Sequence, residues 1–333
     1  MRKTKTLLLT TSIIAGLGLT AGFNADAKTI SQKASAMGAN HRVSEVFNHM
    51  YSDHDHANDS SYSPDILNFK SGNQRISLRN NSKLSKAVYN ASIGTIQNVT
   101  VTPDNHYLFV VYHQVSGDDN SMKGQIVRFN ISHPEQQKKS SIMNLGHGQS
   151  LAYNPTNNKL YMIILGRASA YRAKVMEMNP WSLKPMQTIN IHSNSYLISD
   201  QLAFDRKGNA YSYTKTYSDQ SGKDSLRIYK GKITKRTVHF NLVQAVRHAP
   251  GGNDEIANTP QSMAYNRKTN RLYFVSNGEV LSVPVNKLGH LKSKDVKSTV
   301  FNTNAEFEGL TFTKNGHPYL TTRYKIFSSN RTF

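Results

Sequence analysis

Gln149-Ser-Leu-Ala-Tyr-Asn-Pro-Thr-Asn-Asn-Lys-Leu-Tyr161 holds a polar residue, a two-step apolar alternation, a polar turn and a renewed apolar run. The phrase returns as Gln97-Asn-Val-Thr-Val-Thr-Pro-Asp-Asn-His-Tyr-Leu108 and Asp200-Gln-Leu-Ala-Phe-Asp-Arg-Lys-Gly-Asn-Ala-Tyr211. It returns again as Gln261-Ser-Met-Ala-Tyr-Asn-Arg-Lys-Thr-Asn-Arg-Leu-Tyr273 and Glu308-Gly-Leu-Thr-Phe-Thr-Lys-Asn-Gly-His-Pro-Tyr319. Steps between the aligned Leu108, Tyr161, Tyr211, Tyr273 and Tyr319 are 53, 50, 62 and 46 residues. A strand-built period of roughly 40–50 residues is the signature of a propeller blade.

Each copy has the chemistry of a hairpin. Val99/Val101, Leu151/Tyr153, Leu202/Phe204, Met263/Tyr265 and Leu310/Phe312 alternate with small or polar residues, the period of a half-buried strand. Pro103-Asp104-Asn105, Pro155–Asn158 and Arg206–Asn209 supply turn residues. Leu108–Tyr112 and Leu160–Leu165 then carry the β-branched and aromatic side chains that suit a pleated, packed surface. Third strands are expected at Gln125–Asn130, Lys174–Met178, Ser225–Tyr229 and Glu279–Val285. Outer strands are expected at Ile142–Leu145, Gln187–Ile191, Thr237–Leu242 and Thr299–Phe301.

The expected fold is therefore all-β, a five-bladed β-propeller of four-stranded blades spanning residues 61–333. A β-sandwich with coincidentally similar hairpins is the alternative, and five matching copies argue against it. The fifth copy is short, with only Tyr324–Ser328 and a few residues after Tyr319. An open ring would expose unpaired edges. Ile66–Lys70 and Gln74–Leu78, which precede the first blade, are expected to close it as outer strands of blade five.

Before the propeller lie two further regions. Met1-Arg-Lys-Thr-Lys5, an apolar stretch from Leu7 to Phe23 and Ala25-Asp-Ala27 have the layout of a secretory signal peptide, residues 1–27. A retained anchor is the alternative, but the apolar stretch is short and broken by Gly16, Gly18 and Gly22. No other segment approaches the roughly 20 apolar residues of a membrane span. Residues 28–60 form a polar lead-in in which Val43–Met50 can make a short helical turn. There His54 and His56 with Asp53 or Asp55 offer metal donors. Nothing in the spacing imposes a coordination geometry, so a polar flexible segment is the simpler expectation.

Charge narrows the partners. The chain has no cysteine and a net charge of +20, or +18 without residues 1–27. An exported chain lacking disulfides fits a Gram-positive exoprotein, stabilised by its own core. An extracellular cation of this size attracts polyanions such as wall teichoic acid or anionic headgroups. Nucleic acid is not expected, because no zinc finger, RRM signature or concentrated basic helix is present. Lys230–Arg236 and Lys287–Lys297 are mild basic clusters that also suit solvated loops.

Gln97, Gln149, Asp200, Gln261 and Glu308 hold one equivalent position at the start of each innermost strand, with His147 and Glu306 two residues before two of them. Together they form a polar ring at the channel mouth, suited to a sugar, a headgroup or a cation. Equally, such a ring can merely satisfy buried backbone groups and channel water. Its two carboxylates and three amides give Ca²⁺ a weak oxygen set; no other cofactor is implied. Catalytic signatures are absent: there is no G-x-S-x-G, H-E-x-x-H or Walker A loop, and no thiol. Exposed aromatics such as Trp181 offer platforms for sugar rings, although most propeller aromatics pack between blades.

Three phrases resemble the helveticin family, the large heat-labile bacteriocin-like proteins of lactobacilli. They are Thr95–Asp104 with its following strand, Asp200–Ser212, and Ala305–Thr313 with Tyr319–Tyr324. The resemblance spans roughly residues 45–330 and implies an exported propeller that kills related bacteria or is carried at the cell surface. The chain differs from better known members in its export signal, its basic charge and its lack of an extra β-rich amino-terminal domain. It carries over no family catalytic residues. The leading expectation is a secreted, non-enzymatic bacteriocin or cell-envelope-binding protein that binds anionic wall polymers or another surface ligand. A propeller hydrolase of lactonase or glycosidase type, using Asp200 and Glu308 around a channel ion, is the second. A structural surface-layer-associated protein is the third.

Overall fold

A computed structural model describes residues 65–332 apart from 72–73, 115–122, 165–172, 192–200, 216–225, 247–260, 302 and 304. The expected signal peptide, the expected lead-in with His54 and His56, and Asp200 lie outside the described residues.

The sheets form a five-bladed propeller. Two strands, β1 (Ile66–Ser71) and β2 (Gln74–Asn80), and a helix, α1 (Ser82–Ala91), precede the first blade. Blade one comprises β3 (Thr95–Val101), β4 (Tyr107–His113) and β5 (Lys123–Asn130), with β6 (Gln137–Lys139) and β7 (Met143–Asn144) sharing its outer edge. Blade two runs outward through β8 (Ala152–Asn154), β9 (Lys159–Ile164), β10 (Lys174–Met178) and β11 (Pro185–Asn190). Blade three has β12 (Ala203–Phe204), β13 (Ala210–Lys215), β14 (Leu226–Ile233) and β15 (Val238–Val246). Blade four has β16 (Ser262–Asn266), β17 (Arg271–Ser276), β18 (Glu279–Pro284) and β19 (Lys297–Val300).

Blade five closes the ring as expected. Its order from the axis is β20 (Phe307–Phe312), β21 (Pro318–Thr322), β22 (Ile326–Ser328), then β2 and β1. The seam is antiparallel, with Arg79 opposite Ser328 and Asn80 opposite Phe327. Strands from the two ends of the chain thus share one sheet, and β22 does not stand as a free edge.

Why the phrase folds as a hairpin five times is visible at its turn. Asn105, Asn158, Gly208, Asn270 and Gly316 all have positive φ, between 54° and 80°. Asparagine and glycine tolerate that left-handed conformation best. Three or four residues earlier, Thr102, Asn154, Asp205, Asn266 and Thr313 accept hydrogen bonds from turn backbone N–H groups. Local side chains therefore satisfy the turn that each repeat needs.

The core is divided among the five blade interfaces. Phe109 and Val111 meet Leu151 and Met162; Tyr161 and Val175 meet Phe204 and Tyr229. Tyr213 and Ile228 meet Met263 and Phe274; Tyr273 and Val275 meet Phe307 and Leu310; Tyr319 and Ile326 meet Val99 and Val110. Rings join across the seams, Tyr161–Phe204 at 5.2 Å and Tyr273–Phe312 at 4.6 Å between centroids. Each fully buried ring contributes on the order of 1.5–3 kcal/mol of apolar transfer.

Two local features depart from expectation. The outer edge of blade one is not a single strand over Ile142–Leu145. At Ser140 the side-chain oxygen accepts from the Ile126 N–H at 3.0 Å, replacing a backbone carbonyl and splitting the edge into β6 and β7. Helix α1 was not expected. Asn81 caps it by accepting from the Leu84 N–H at 3.2 Å, and Leu84, Val88 and Ala91 bury one face against blade one. Among the described residues no helix is long and apolar enough to cross a membrane.

Candidate functional site at the ring axis

The innermost strands all begin at one end of the axis and run to the other, so equivalent residues stack as layers. Val99, Leu151, Leu202, Met263 and Leu310 make an apolar layer; Thr100, Ala152, Ala203, Ala264 and Thr311 make the next. Beyond them the turns bring Pro103, Pro155, Arg206, Arg267 and Lys314 to the rim of the opposite end.

At the end where the strands begin, side-chain amides join across the axis. Gln149 of blade two donates from Nε2 to Oε1 of Gln261 in blade four at 2.8 Å. Those blades are not neighbours, so the bond crosses the centre. Gln201 of blade three donates to Gln149 Oε1 at 3.3 Å. Gln261 Nε2 reaches Asn277 Oδ1 at 3.1 Å and Glu306 Oε1 at 3.3 Å. Gln149, Gln201 and Gln261 are all buried, and the network pairs both ends of the Gln149 and Gln261 amides, which would be costly to leave dry and unpaired.

Blade five adds the charges. Arg323 Nε lies 2.5 Å from Glu306 Oε2 and 3.6 Å from Glu308 Oε1. Burial, and then the Glu306 charge, push the Glu308 carboxyl well above the ordinary carboxylate range, with Arg323 opposing. For Ca²⁺ the fit is poor, because a guanidinium already faces both carboxylates and the Gln149 and Gln261 amide oxygens already accept from amides. Among the described residues no group of three or more His, Asp or Glu is placed to hold a metal.

Of the residues expected at this mouth, the structure brings Gln149, Gln261, Glu306 and Glu308 into one connected set. Gln97 stands apart: its Nε2 donates to Thr95 Oγ1 and the Ile96 carbonyl, both at 3.1 Å, and its buried Oε1 meets no donor among the described residues. His147 is exposed, its ring centroid 6.2 Å from that of His113. Asp200 lies outside the described residues, and Gln201 beside it reaches the axis. Sequence reasoning missed Gln201, Asn277 and Arg323. Gln201 had a signal: in its column the other residues are Asn98, Ser150, Ser262 and Gly309, all shorter.

The turn end is open. A cavity of about 80 Å³ is lined by all five innermost strands, with Arg206, Arg267 and Lys314 on its rim. These cations occupy one equivalent position on three consecutive blades, and prolines occupy it on the other two. All three are exposed. Asp205 beneath Arg206 is buried and accepts from the Lys207 and Asn209 N–H groups, the Asn209 amide and the Tyr211 hydroxyl.

The chain matches no family model and no curated protein. Among solved structures it is similar to a glucose dehydrogenase, at 12% identity over 72% of this chain and 84% of that one, with a TM-score of 0.39. It is also similar to a streptogramin B lyase, at 11% identity over 78% and 97%, TM-score 0.38. A functionally unknown protein from Desulfotomaculum acetoxidans DSM 771 matches at 13% identity over 68% and 65%, TM-score 0.37. These likenesses concern the course of the chain and assign it no activity.

Proposed function

We propose that the chain is an exported, non-enzymatic propeller that binds the anionic polymers of a bacterial envelope, in the manner that the helveticin resemblance implies. The observation that carries this is how the fold sorts its charges. Among the described residues the buried ionisable acids and bases are Glu177, Asp205 and Glu308 against Arg271 alone. Glu177 pairs with Lys159 and accepts from the Tyr161 hydroxyl at 3.2 Å and Gln187 Nε2 at 2.8 Å. Lys159 offsets Glu177 and Arg323 faces Glu308, while the described lysines and arginines other than Arg271 stay out of the core of a chain at +20. That excess of surface cations favours long-range capture of polyanions.

The test is binding of residues 28–333 to Gram-positive cells across a salt series, with viable counts of related strains in parallel. Binding is expected to fall steeply toward about 1 M salt, where the Debye length is roughly 3 Å. Binding indifferent to salt refutes electrostatic capture. Dose-dependent loss of viability on a narrow set of strains supports bacteriocin action; binding without killing leaves an envelope-associated protein.

One observation favours a second possibility. Glu308, its carboxyl pushed up by burial and by the charge of the neighbouring Glu306, belongs to the kind of carboxyl pair that divides acid and base roles in hydrolases. That possibility requires Glu308→Gln to abolish a hydrolytic turnover while leaving the fold intact.

A further inference from the structure

We infer that the cavity at the turn end of the axis is a binding site for a phosphate group carried on a phosphodiester polymer. This rests on envelope binding only for the source of the ligand; the site itself follows from two sets of donors that converge on the same side of the cavity.

The first set is cationic. Arg206, Arg267 and Lys314 project from the turns of blades three, four and five around the cavity mouth. Asp205 also lines the cavity on that side, its carboxylate taken up by four hydrogen bonds from Lys207, Asn209 and Tyr211. On the opposite side, Asp104 takes bonds from the Thr102 hydroxyl at 2.5 Å and the His106 N–H at 3.1 Å. The mouth is therefore polarised, with the positive half on blades three to five. Two guanidinium forks and an ammonium suit the several oxygens of a phosphate.

The second set is backbone. The channel-facing N–H groups of the innermost strands are met differently around the ring. The Tyr153 N–H donates to Thr100 Oγ1 of the preceding blade, and the Val101 N–H to Thr311 Oγ1, both at 3.3 Å. At the equivalent places facing Phe204 and Tyr265 the preceding blade supplies Ala152 and Ala203, which have no hydroxyl. Asp205 N–H turns outward to the Asn209 carbonyl at 3.0 Å, so by the alternation of a strand the Phe204 N–H turns toward the axis. The missing threonines thus lie on the side that carries the arginines. Convergent backbone N–H groups beside cations are a common way to cradle phosphate oxygens.

Size and surroundings select the ligand. A buried water needs roughly 10–15 Å³ of such space, so the cavity of about 80 Å³ admits a phosphate group. A polymer is favoured over a bilayer surface. Among the described residues the exposed large hydrophobics Ile66, Tyr89, Ile142, Trp181, Met186 and Tyr324 could serve as membrane anchors, but none of these lines this mouth.

The experiment is calorimetric titration of the purified protein with glycerol 3-phosphate and with poly(glycerol phosphate), and a sedimentation assay with phosphatidylglycerol vesicles. Arg206→Gln/Arg267→Gln/Lys314→Gln is expected to weaken glycerol 3-phosphate binding about tenfold or more. Lys232→Gln/Lys235→Gln/Arg236→Gln removes equal charge from the outer hairpin of blade three and should leave it unchanged. Ala203→Thr, which offers the Tyr265 N–H a hydroxyl, should weaken binding with no change of charge. Equal losses in both triple variants, no binding of glycerol 3-phosphate by the parent protein, or binding to vesicles without binding to the polymer would each overturn the proposal. If cells are not bound but glycerol 3-phosphate still titrates and is lost in the axial variant, the envelope role fails and the site stands. If cells are bound and glycerol 3-phosphate is not, the site fails and the envelope role stands.

Discussion

Gln149 Nε2 donates to Gln261 Oε1 at 2.8 Å, joining two blades that share no seam. The bond ties the ring across its centre, where only side chains long enough to reach the axis can meet. Gln149→Ala removes both the donor to Gln261 and the acceptor of Gln201 from a buried site, and is expected to cost about 1–3 kcal/mol. Gln261→Ala should cost a similar amount, and the double variant less than the sum of the two, because both break the same bond. Urea denaturation of the four proteins measures this; strict additivity would show that the two amides are not coupled.

Glu308 makes a separate prediction about pH. Its folded carboxyl titrates well above the ordinary range, through burial first and the Glu306 charge second. The folded chain therefore retains a proton that the unfolded chain has already lost. The stability linked to this proton is fully present below the unfolded carboxylate value and disappears as pH rises through the folded value. Glu308→Gln should remove that decline and raise stability on its alkaline side. Glu177 works in the opposite direction: burial alone would raise its carboxyl, but the Lys159, Gln187 and Tyr161 hydrogen bonds and the Lys159 charge outweigh it and lower it. Its contribution is present above the unfolded value and lost as pH falls. Denaturation midpoints across acid to neutral pH separate the two, and an unchanged profile in Glu308→Gln would contradict the burial account.

The blades were legible because a propeller repeats its physics. Leu151, Leu202, Met263 and Leu310 all stand three residues before the polar residue that opens the turn, Asn154, Asp205, Asn266 or Thr313, and that offset decides which face meets the preceding blade. Closure by β1 and β2 was legible for the same reason, since a short fifth repeat leaves an edge that something must cover. Helix α1 was not read, although Leu84, Val88 and Ala91 have helical spacing and Asn81 stands at its cap. Ten residues between two strand-rich regions were too few for periodicity to compete. At the axis the strand phrase singles out Gln149, Gln261 and Glu308, which share one end of the innermost strands. Arg323 escaped because it directly follows β21, and a side chain beyond a second strand cannot be seen by aligning first strands. The open cavity escaped because its rim looked like ordinary turn chemistry; only closure of the ring brings Arg206, Arg267 and Lys314 around one space.

Closure itself can be tested. Leu67 and Leu78 are fully buried and pack with Phe307 and Phe327. Leu78→Ala is expected to cost about 2–5 kcal/mol, the range for a buried leucine that leaves a cavity. A chain beginning at residue 81 would leave β22 as an unpaired edge and should self-associate. Light scattering at rising concentration checks this; a monodisperse, stable truncated monomer would mean that β1 and β2 are dispensable to the ring.

The seam on the other side of blade five makes the sharpest steric prediction. Gly309 sits where a Cβ would come within 2.8 Å of the Val99 backbone nitrogen and 3.1 Å of the Asn98 Cα. Both atoms belong to the innermost strand of blade one, which cannot move aside without disturbing its pairing with β4. The same column carries Ser150 and Ser262 in other blades, so the requirement for glycine is local to the closing seam and not to the repeat. Gly309→Ala is therefore expected to destabilise the protein by about 1–3 kcal/mol through overpacking. Ser150→Ala does not add bulk, but it removes the hydroxyl that accepts from the Ile163 N–H at 2.8 Å, and should cost about 0.5–1.5 kcal/mol by a different route. Thermal and urea unfolding of both variants distinguish the two routes. A Gly309→Ala protein as stable as its parent would show that blades five and one have slack at the axis, and that closure depends on the outer strands alone.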